Sequence, residues 1–228
     1  ERGVACDFIR VKEGMSRINV KIASQQETEV NGMGPDIDSS DVEALFDRLD
    51  ALAAGDILII SGSVPAALPQ DIYERILARL EGRGVDIVVD ATRDLLLNVL
   101  AYRPFLIKPN NHELSDIFGV ELSRREEVVP YAKMLQERGA RNVLVSMAGE
   151  GAVLVGEDGS VVMSESPCGQ VVNSVGASMV AGFVAGYLEG DGSFERAFRM
   201  GLCTGSASAF SLELATRDDV EALLAASA

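Results

Sequence analysis

The chain has 228 residues, 47% hydrophobic and 24% charged, which suits one α/β body with a sizeable core and not a disordered chain. Its formal charge of −15, from 35 acidic against 20 basic residues, excludes a broad nucleic-acid or anionic-membrane surface, because such partners require a net basic face. An anionic ligand must be held locally, by helix N-termini and single Lys or Arg side chains.

Up to about Asn31 the sequence alternates apolar and polar residues, in Cys6–Val11, Arg17–Ile22 and Glu27–Val30. Period-two patterning over short runs predicts antiparallel strands with one apolar face. A helix follows from Ser39 or Ser40 to Ala53, with Ser40-Asp41-Val42-Glu43 as its cap and Val42, Leu45, Phe46 and Leu49 on its apolar stripe. Beyond it, continuous apolar strands alternate with amphipathic helices. Strand 56–60 leads to helix 68–81, strand 85–90 to helix 92–101, and strand 105–108 to helices 111–118 and 124–139; strand 142–146 closes the series. Uniformly apolar strands between helices predict a mostly parallel, doubly wound sheet covered on both faces. Residues 152–155 and 161–163, joined by Gly156-Glu157-Asp158-Gly159, read as a hairpin added to that sheet, and the tail as helices 178–190, 193–212 and 216–226. Two regions result, a β-strand region over 1–34 and an α/β body over 35–228.

In open parallel sheets, ligands bind beyond the carboxyl ends of the strands, so the residues just after strands carry the candidate chemistry. Ser61-Gly62-Ser63 pairs a close-approach glycine with two hydroxyls able to meet sugar oxygens, although serine–glycine turns are common. Lys108-Pro109-Asn110-Asn111-His112-Glu113 brings a lysine, an amide and a carboxylate to one strand end, which suits nucleotide phosphates and a hydrated Mg²⁺. Equally, Asn110 or Asn111 can cap the next helix, with Glu113 favouring its positive end. Ser146-Met147-Ala148-Gly149-Glu150-Gly151 supplies further close-approach glycines or an ordinary turn. Residues 173–183 run from a loop into a helix of small residues, whose first N–H groups can cradle a phosphate; Ala181 and Gly182 also fit a tightly packed helix. The lone His112 is read as a loop or cap residue and not as a general base.

Cys6, Cys168 and Cys203 lie far apart and form no CxxC pair, which argues against a zinc site or a disulfide framework. Cys203 is expected to be buried and Cys168 exposed. No apolar run approaches the ~20 residues of a membrane span, and the first residues do not resemble a signal peptide. A soluble cytoplasmic protein is expected.

Taken in order, Ser16–Ile22, Ile60–Pro65, Lys108–Leu114, Val145–Ala152, Asn173–Ala177 and Gly205–Phe210 resemble the phosphofructokinase B branch of the ribokinase-like carbohydrate kinases. The likeness spans essentially the whole chain. Arg17-Ile18-Asn19-Val20-Lys21, followed by Thr28–Gly32, resembles its phosphosugar kinases more than its nucleoside or simple sugar kinases. The resemblance implies an ATP- and Mg²⁺-dependent kinase acting on fructose 1-phosphate, with tagatose 6-phosphate and fructose 6-phosphate as alternatives. Arg17, Asn19, Lys21, Ser61 and Ser63 would meet the sugar phosphate. Lys108, Asn110, Ser146, Gly149, Gly151, Ser174 and Ser206 would meet the nucleotide, Glu113 the metal through water, and the Gly176 and Ala177 N–H groups the transferred phosphoryl. The resemblance also makes the strands of 1–34 part of a lid, and their exposed edges imply a homodimer.

Two departures from the family pattern stand out. The family continues Gly-Ala-Gly-Asp-Ser-Met, whereas here Ala177 is followed directly by Ser178-Met179, so the aspartate expected to act as base is missing. The family's leading βαβ region, with its Gly-Gly-Lys-Gly segment, has no equivalent here either. These 228 residues are therefore expected to be part of a longer chain whose catalytic loop holds the Gly-Asp pair; a binding protein that has lost catalysis is the rival reading.

Overall fold

The computed structural model describes residues 3–22, 28–172 and 176–227, and the chain divides into two compact units. The first comprises Glu1–Asp56 and Ser63–Val85, the second Ile57–Gly62 and Asp86–Ala228.

In the first unit, strands β1 (Asn19–Ile22) and β2 (Thr28–Asn31) form a two-stranded antiparallel sheet in which Val20 faces Val30. Residues 6–11 form no strand: they alternate correctly but have no ladder partner among the described residues, and alternation without a partner leaves the backbone unpaired. Glu27 lies outside the described residues. Helix α1 (Ser39–Leu49) starts from Asp38 and not from Ser40. The Asp38 carboxylate accepts the Asp41 N–H at 3.1 Å, the Ser40 hydroxyl at 2.6 Å and the Lys12 ammonium at 2.6 Å. A carboxylate at the positive helix end outcompetes a hydroxyl, and these bonds, Lys12's first, hold its carboxyl well below the usual range. Helix α2 (Ile72–Leu80) begins later than expected, because Pro69 disfavours helical geometry at Leu68 and a turn fills the gap. Asp50, at the end of α1, ties the two helices through Arg79 and Arg83.

The second unit is built on one sheet in the order β3 (Ile57–Ser61), β4 (Asp86–Asp90), β5 (Leu106–Ile107), β6 (Asn142–Ser146), β7 (Ala152–Val155) and β8 (Val161–Ser164). The first four are parallel; β7 runs antiparallel to β6 and β8 antiparallel to β7, which completes the expected hairpin. Between the strands run α3 (Arg93–Val99), α4 (Asn111–Phe118) and α5 (Arg125–Glu137), and after the hairpin come α6 (Gly176–Glu189), α7 (Phe194–Phe210) and α8 (Arg217–Ala226).

One sheet face offers Val88, Leu106, Leu144 and Leu154 to Val180 and Phe183 of α6 and Phe198 and Leu202 of α7. By the period-two pleat the opposite face carries Val89, Ile107, Val143 and Val153, all fully buried, and α5 packs on β6 and β7 there through the buried Val128, Ala132 and Leu135. Both faces are covered, as uniformly apolar strands require. Helices α6 and α7 approach closely: a Cβ on Gly182 would collide with Thr204, and one on Gly186 would lie 2.6 Å from the Met200 Cβ. Packing therefore accounts for Gly182. Cys203 is buried, and Cys6 and Cys168 are exposed. No helix among the described residues is long and apolar enough to cross a membrane.

Candidate active site

The parallel strands of the second unit end at Ser61, Asp90, Ile107 and Ser146. Their register sets Ser61 opposite Asp90 and Val89 opposite Ile107, so Asp90 and Lys108 leave the sheet side by side. Lys108 is 5% exposed. A buried ammonium is tolerated only with a counter-charge, and Asp90 supplies it: Nζ lies 3.2 Å from Asp90 Oδ1. Ser61 Oγ donates to Asp90 Oδ2 at 3.4 Å, and the Asp90 carbonyl accepts the Gly62 N–H at 3.0 Å. Sequence reasoning named Ser61 and Lys108 but missed Asp90, whose position at the end of an apolar run looks like that of an ordinary turn residue. The usable signal was a lone carboxylate closing a buried parallel strand.

Gly176 opens α6 and is exposed; a Cβ placed on it would lie 3.3 Å from Lys108 Nζ. The ammonium therefore sits beside the first turn of α6, where unpaired N–H groups carry partial positive charge. Two cationic features at one point stabilise an anion placed between them. Ala177 is exposed and Ser178 is buried, so the residue after Ala177 presents no carboxylate to that site. Ser174 lies outside the described residues.

Asn110 and Glu113 form a reciprocal capping box on α4: Asn110 Oδ1 accepts the Glu113 N–H at 2.8 Å, and Glu113 Oε2 accepts the Asn110 N–H at 2.8 Å. The capping reading thus holds for both residues, and it leaves Oε1 of Glu113 for a further ligand. Among the described residues, no group of three His, Cys, Asp or Glu can hold a metal ion. Mg²⁺ usually keeps several waters and takes its remaining oxygens from phosphates and one or two carboxylates. A single Glu113 oxygen fits it only through water.

Ser146 ends β6 and bridges to Asn110, its N–H donating to the Pro109 carbonyl at 3.1 Å. The loop that follows turns back on itself, with Met147 N–H donating to the Gly151 carbonyl at 2.8 Å. Gly151 has φ +93°, and a Cβ there would strike the Ser164 carbonyl, so only glycine fits; the space around Gly149 is open. Ser206 is buried in α7. In the first unit, Arg17 Nη1 donates to Ser63 Oγ at 3.2 Å. Asn19 and Lys21 lie in β1 opposite Asn31 and Glu29, with the Lys21 side chain outside the described residues. In the second unit Lys108 thus meets Gly176 and, through Asp90, Ser61, while Asn110 joins Glu113 and Ser146; in the first, Arg17 pairs with Ser63.

A mostly parallel sheet covered by helices, together with a small antiparallel sheet, is a ribokinase-like fold. The chain belongs to the pfkB family of carbohydrate kinases, whose model matches residues 1–219. It is 44% identical over 226 residues to a 1-phosphofructokinase of Bacillus subtilis, covering 98% of this chain and 74% of that protein. It is 34% identical over 211 residues to a D-tagatose-1-phosphate kinase of Bacillus licheniformis, covering 91% and 68%. Among solved structures, phosphofructokinase-2 from Escherichia coli in complex with fructose-6-phosphate matches with a TM-score of 0.81 at 25% identity, covering 91% of this chain and 69% of that one.

Proposed function

We propose that the chain carries the machinery of an ATP-dependent 1-phosphofructokinase, which converts fructose 1-phosphate and ATP to fructose 1,6-bisphosphate and ADP. The observation that carries this reading is the Lys108 ammonium, held by Asp90 beside the first turn of α6. In the reaction the free hydroxyl of the phosphosugar attacks the γ-phosphorus, the bond from that phosphorus to the ADP oxygen breaks, and the hydroxyl proton passes to a base. Lys108 and the Gly176 and Ala177 N–H groups stabilise the charge spreading over the transferred phosphoryl. Arg17, Asn19, Lys21, Ser61 and Ser63 bind the sugar phosphate, the Arg17–Ser63 bond fixing the guanidinium for it. Asn110, Ser146, Gly149, Gly151, Ser174 and Ser206 line the nucleotide. Glu113 would hold Mg²⁺ through water, and the ion would neutralise phosphate charge. Residues 1–34 serve as a lid region for the body over 35–228, and the protein works in the cytoplasm as a homodimer through the lid strands. The half-exposed Val20 and Val30 of the small sheet support that interface.

The test is ADP release with fructose 1-phosphate, tagatose 6-phosphate and fructose 6-phosphate, each with ATP and Mg²⁺. Turnover fastest on fructose 1-phosphate supports the proposal; preference for either of the other two reassigns the substrate. A second reading follows from Ser178 standing where the family has glycine and aspartate after Ala177. On that reading the chain binds nucleotide or sugar phosphate without turning it over, and calorimetric binding with no ADP release would establish it. Light scattering tests the dimer, which a monomer at micromolar concentration would refute.

A further inference from the structure

We propose that Arg125 is a positioning residue for the 147–151 loop, holding it in the shape that receives the nucleotide; this rests on the nucleotide role assigned to that loop above. Arg125 is the first residue of α5 and follows Arg124, so two cations stand at the positive end of one helix. The dipole disfavours both. Arg124 is answered by its own helix, through Glu127 at 2.8 Å. Arg125 instead reaches outward: Nη1 donates to the Glu150 carbonyl at 2.9 Å and Nη2 to Glu165 Oε1 at 3.1 Å. Its side chain is 18% exposed, whereas that of Glu165 is 80% exposed. An ion pair with so exposed a carboxylate contributes little, which leaves the bond to the loop carbonyl as the purposeful one.

The loop needs such a strut. Ala148 adopts φ +48° and Gly151 φ +93°, two left-handed residues within five, and for alanine that conformation persists only when the surroundings impose it. Support comes from two sides. The Ser166 hydroxyl donates to the Ala148 carbonyl at 2.7 Å, and Arg125 takes the Glu150 carbonyl. The Met147 and Gly151 carbonyls are closed within the loop by the Glu150 and Met147 N–H groups at 3.0 and 2.8 Å. With those carbonyls drawn into the protein, the loop presents the open side at Gly149, and an anionic ligand meets less carbonyl repulsion there. A loop already ordered also loses less conformational entropy on binding. The planar fork of arginine serves a carbonyl and a carboxylate together, which a lysine ammonium cannot do in the same geometry.

The experiment measures ATP binding in the presence of Mg²⁺ by titration calorimetry, with the melting temperature taken without ligand. Losing one charged hydrogen bond that orders the loop should weaken ATP binding about tenfold in Arg125→Ala, beyond any change in melting temperature. Arg125→Lys should recover part of the loss, and Glu165→Gln, which leaves the carbonyl bond intact, should stay within about twofold. Gly149→Val fills the open side of the loop without touching the strut and should weaken ATP binding strongly. If Gly149→Val weakens binding and Arg125→Ala does not, the positioning role is overturned while the loop keeps its nucleotide role. If neither weakens it, the nucleotide reading of the loop fails and takes the proposal with it. A lower melting temperature with unchanged ATP affinity would make Arg125 purely structural and overturn the proposal. Should Arg125→Ala not fold, Arg125→Lys and Ser166→Ala carry the same comparison.

Discussion

Asp90 Oδ1 stands 3.2 Å from the ammonium of Lys108, and both side chains are largely withdrawn from solvent, at 17% and 6% exposed. Removing one partner of a buried pair leaves the other uncompensated, at a cost of about 3–5 kcal/mol. Asp90→Ala should therefore lower stability by about 3 kcal/mol, read as a fall in the urea midpoint at constant slope. Lys108→Met should cost less, because Asp90 keeps the Ser61 hydroxyl and its greater access to water. In the double variant much of the Asp90→Ala loss should return. Strict additivity of the two single changes would show that the pair is not coupled.

The α6–α7 contact gives a prediction about packing. A Cβ on Gly182 would overlap Thr204, and the neighbouring backbone carbonyl of Met200 lies 2.8 Å away, so the helices would have to separate. Overpacking of this kind costs about 1–3 kcal/mol, and Gly182→Ala should show it in chemical denaturation. Gly149→Ala, at a position with nothing within 4 Å, should change stability by less than about 0.5 kcal/mol. Equal effects of the two would refute the close approach of α6 and α7.

The start of α5 should respond to acid. Glu127 accepts the backbone N–H groups of Ser123 and Arg124 at 3.1 Å each and pairs with the Arg124 side chain at 2.8 Å. These bonds, the Ser123 N–H foremost, hold its carboxyl down at about 2, against 4.5 ordinarily. A carboxyl depressed in the folded state stabilises that state fully above its unfolded value and loses the contribution as pH falls through its folded value. The first turn of α5 should thus fray between about pH 4.5 and about pH 2, seen as faster amide exchange at residues 125–128. Glu127→Gln should abolish that pH step; a step that persists would assign it to another group.

Much of the body could be read from the sequence, because each strand is a short apolar run stopped by a residue of different chemistry. Asn142–Ser146 and helix Asn111–Phe118 fall where their patterns place them. What escaped depends on spatial pairing. Residues 6–11 alternate as a strand should, but alternation does not say whether a partner exists. Asp38 displaced Ser40 as a cap because a carboxylate outcompetes a hydroxyl at the positive helix end, and Lys12, remote in the chain, pairs with it there. Of the Lys108 cluster, Lys108 and Gly176 carried the family pattern, while Asp90 emerged only once the register set Val89 beside Ile107. Arg125 left no trace in the pattern, since its target is a backbone carbonyl and any residue at position 150 would present one.

The missing base yields the sharpest kinetic prediction. Helix α6 begins at Gly176, and burial of the helix starts at Ser178. Inserting Gly-Asp between Ala177 and Ser178 would add a carboxylate at the exposed first turn, ahead of the buried residues. A positioned general base contributes about 10²- to 10⁴-fold to a rate, so ADP release with fructose 1-phosphate should rise by that order in kcat, with the KM for ATP little changed. Inserting Gly-Asn instead supplies the same length and no base, and should leave kcat near that of the parent chain. If Gly-Asn accelerates turnover as much as Gly-Asp, the gain comes from loop length and the carboxylate is not the base. If the parent chain already turns over as fast as the Gly-Asp variant, another group takes the hydroxyl proton. Asp90, the carboxylate already bonded to Lys108, would then be the first to replace by asparagine.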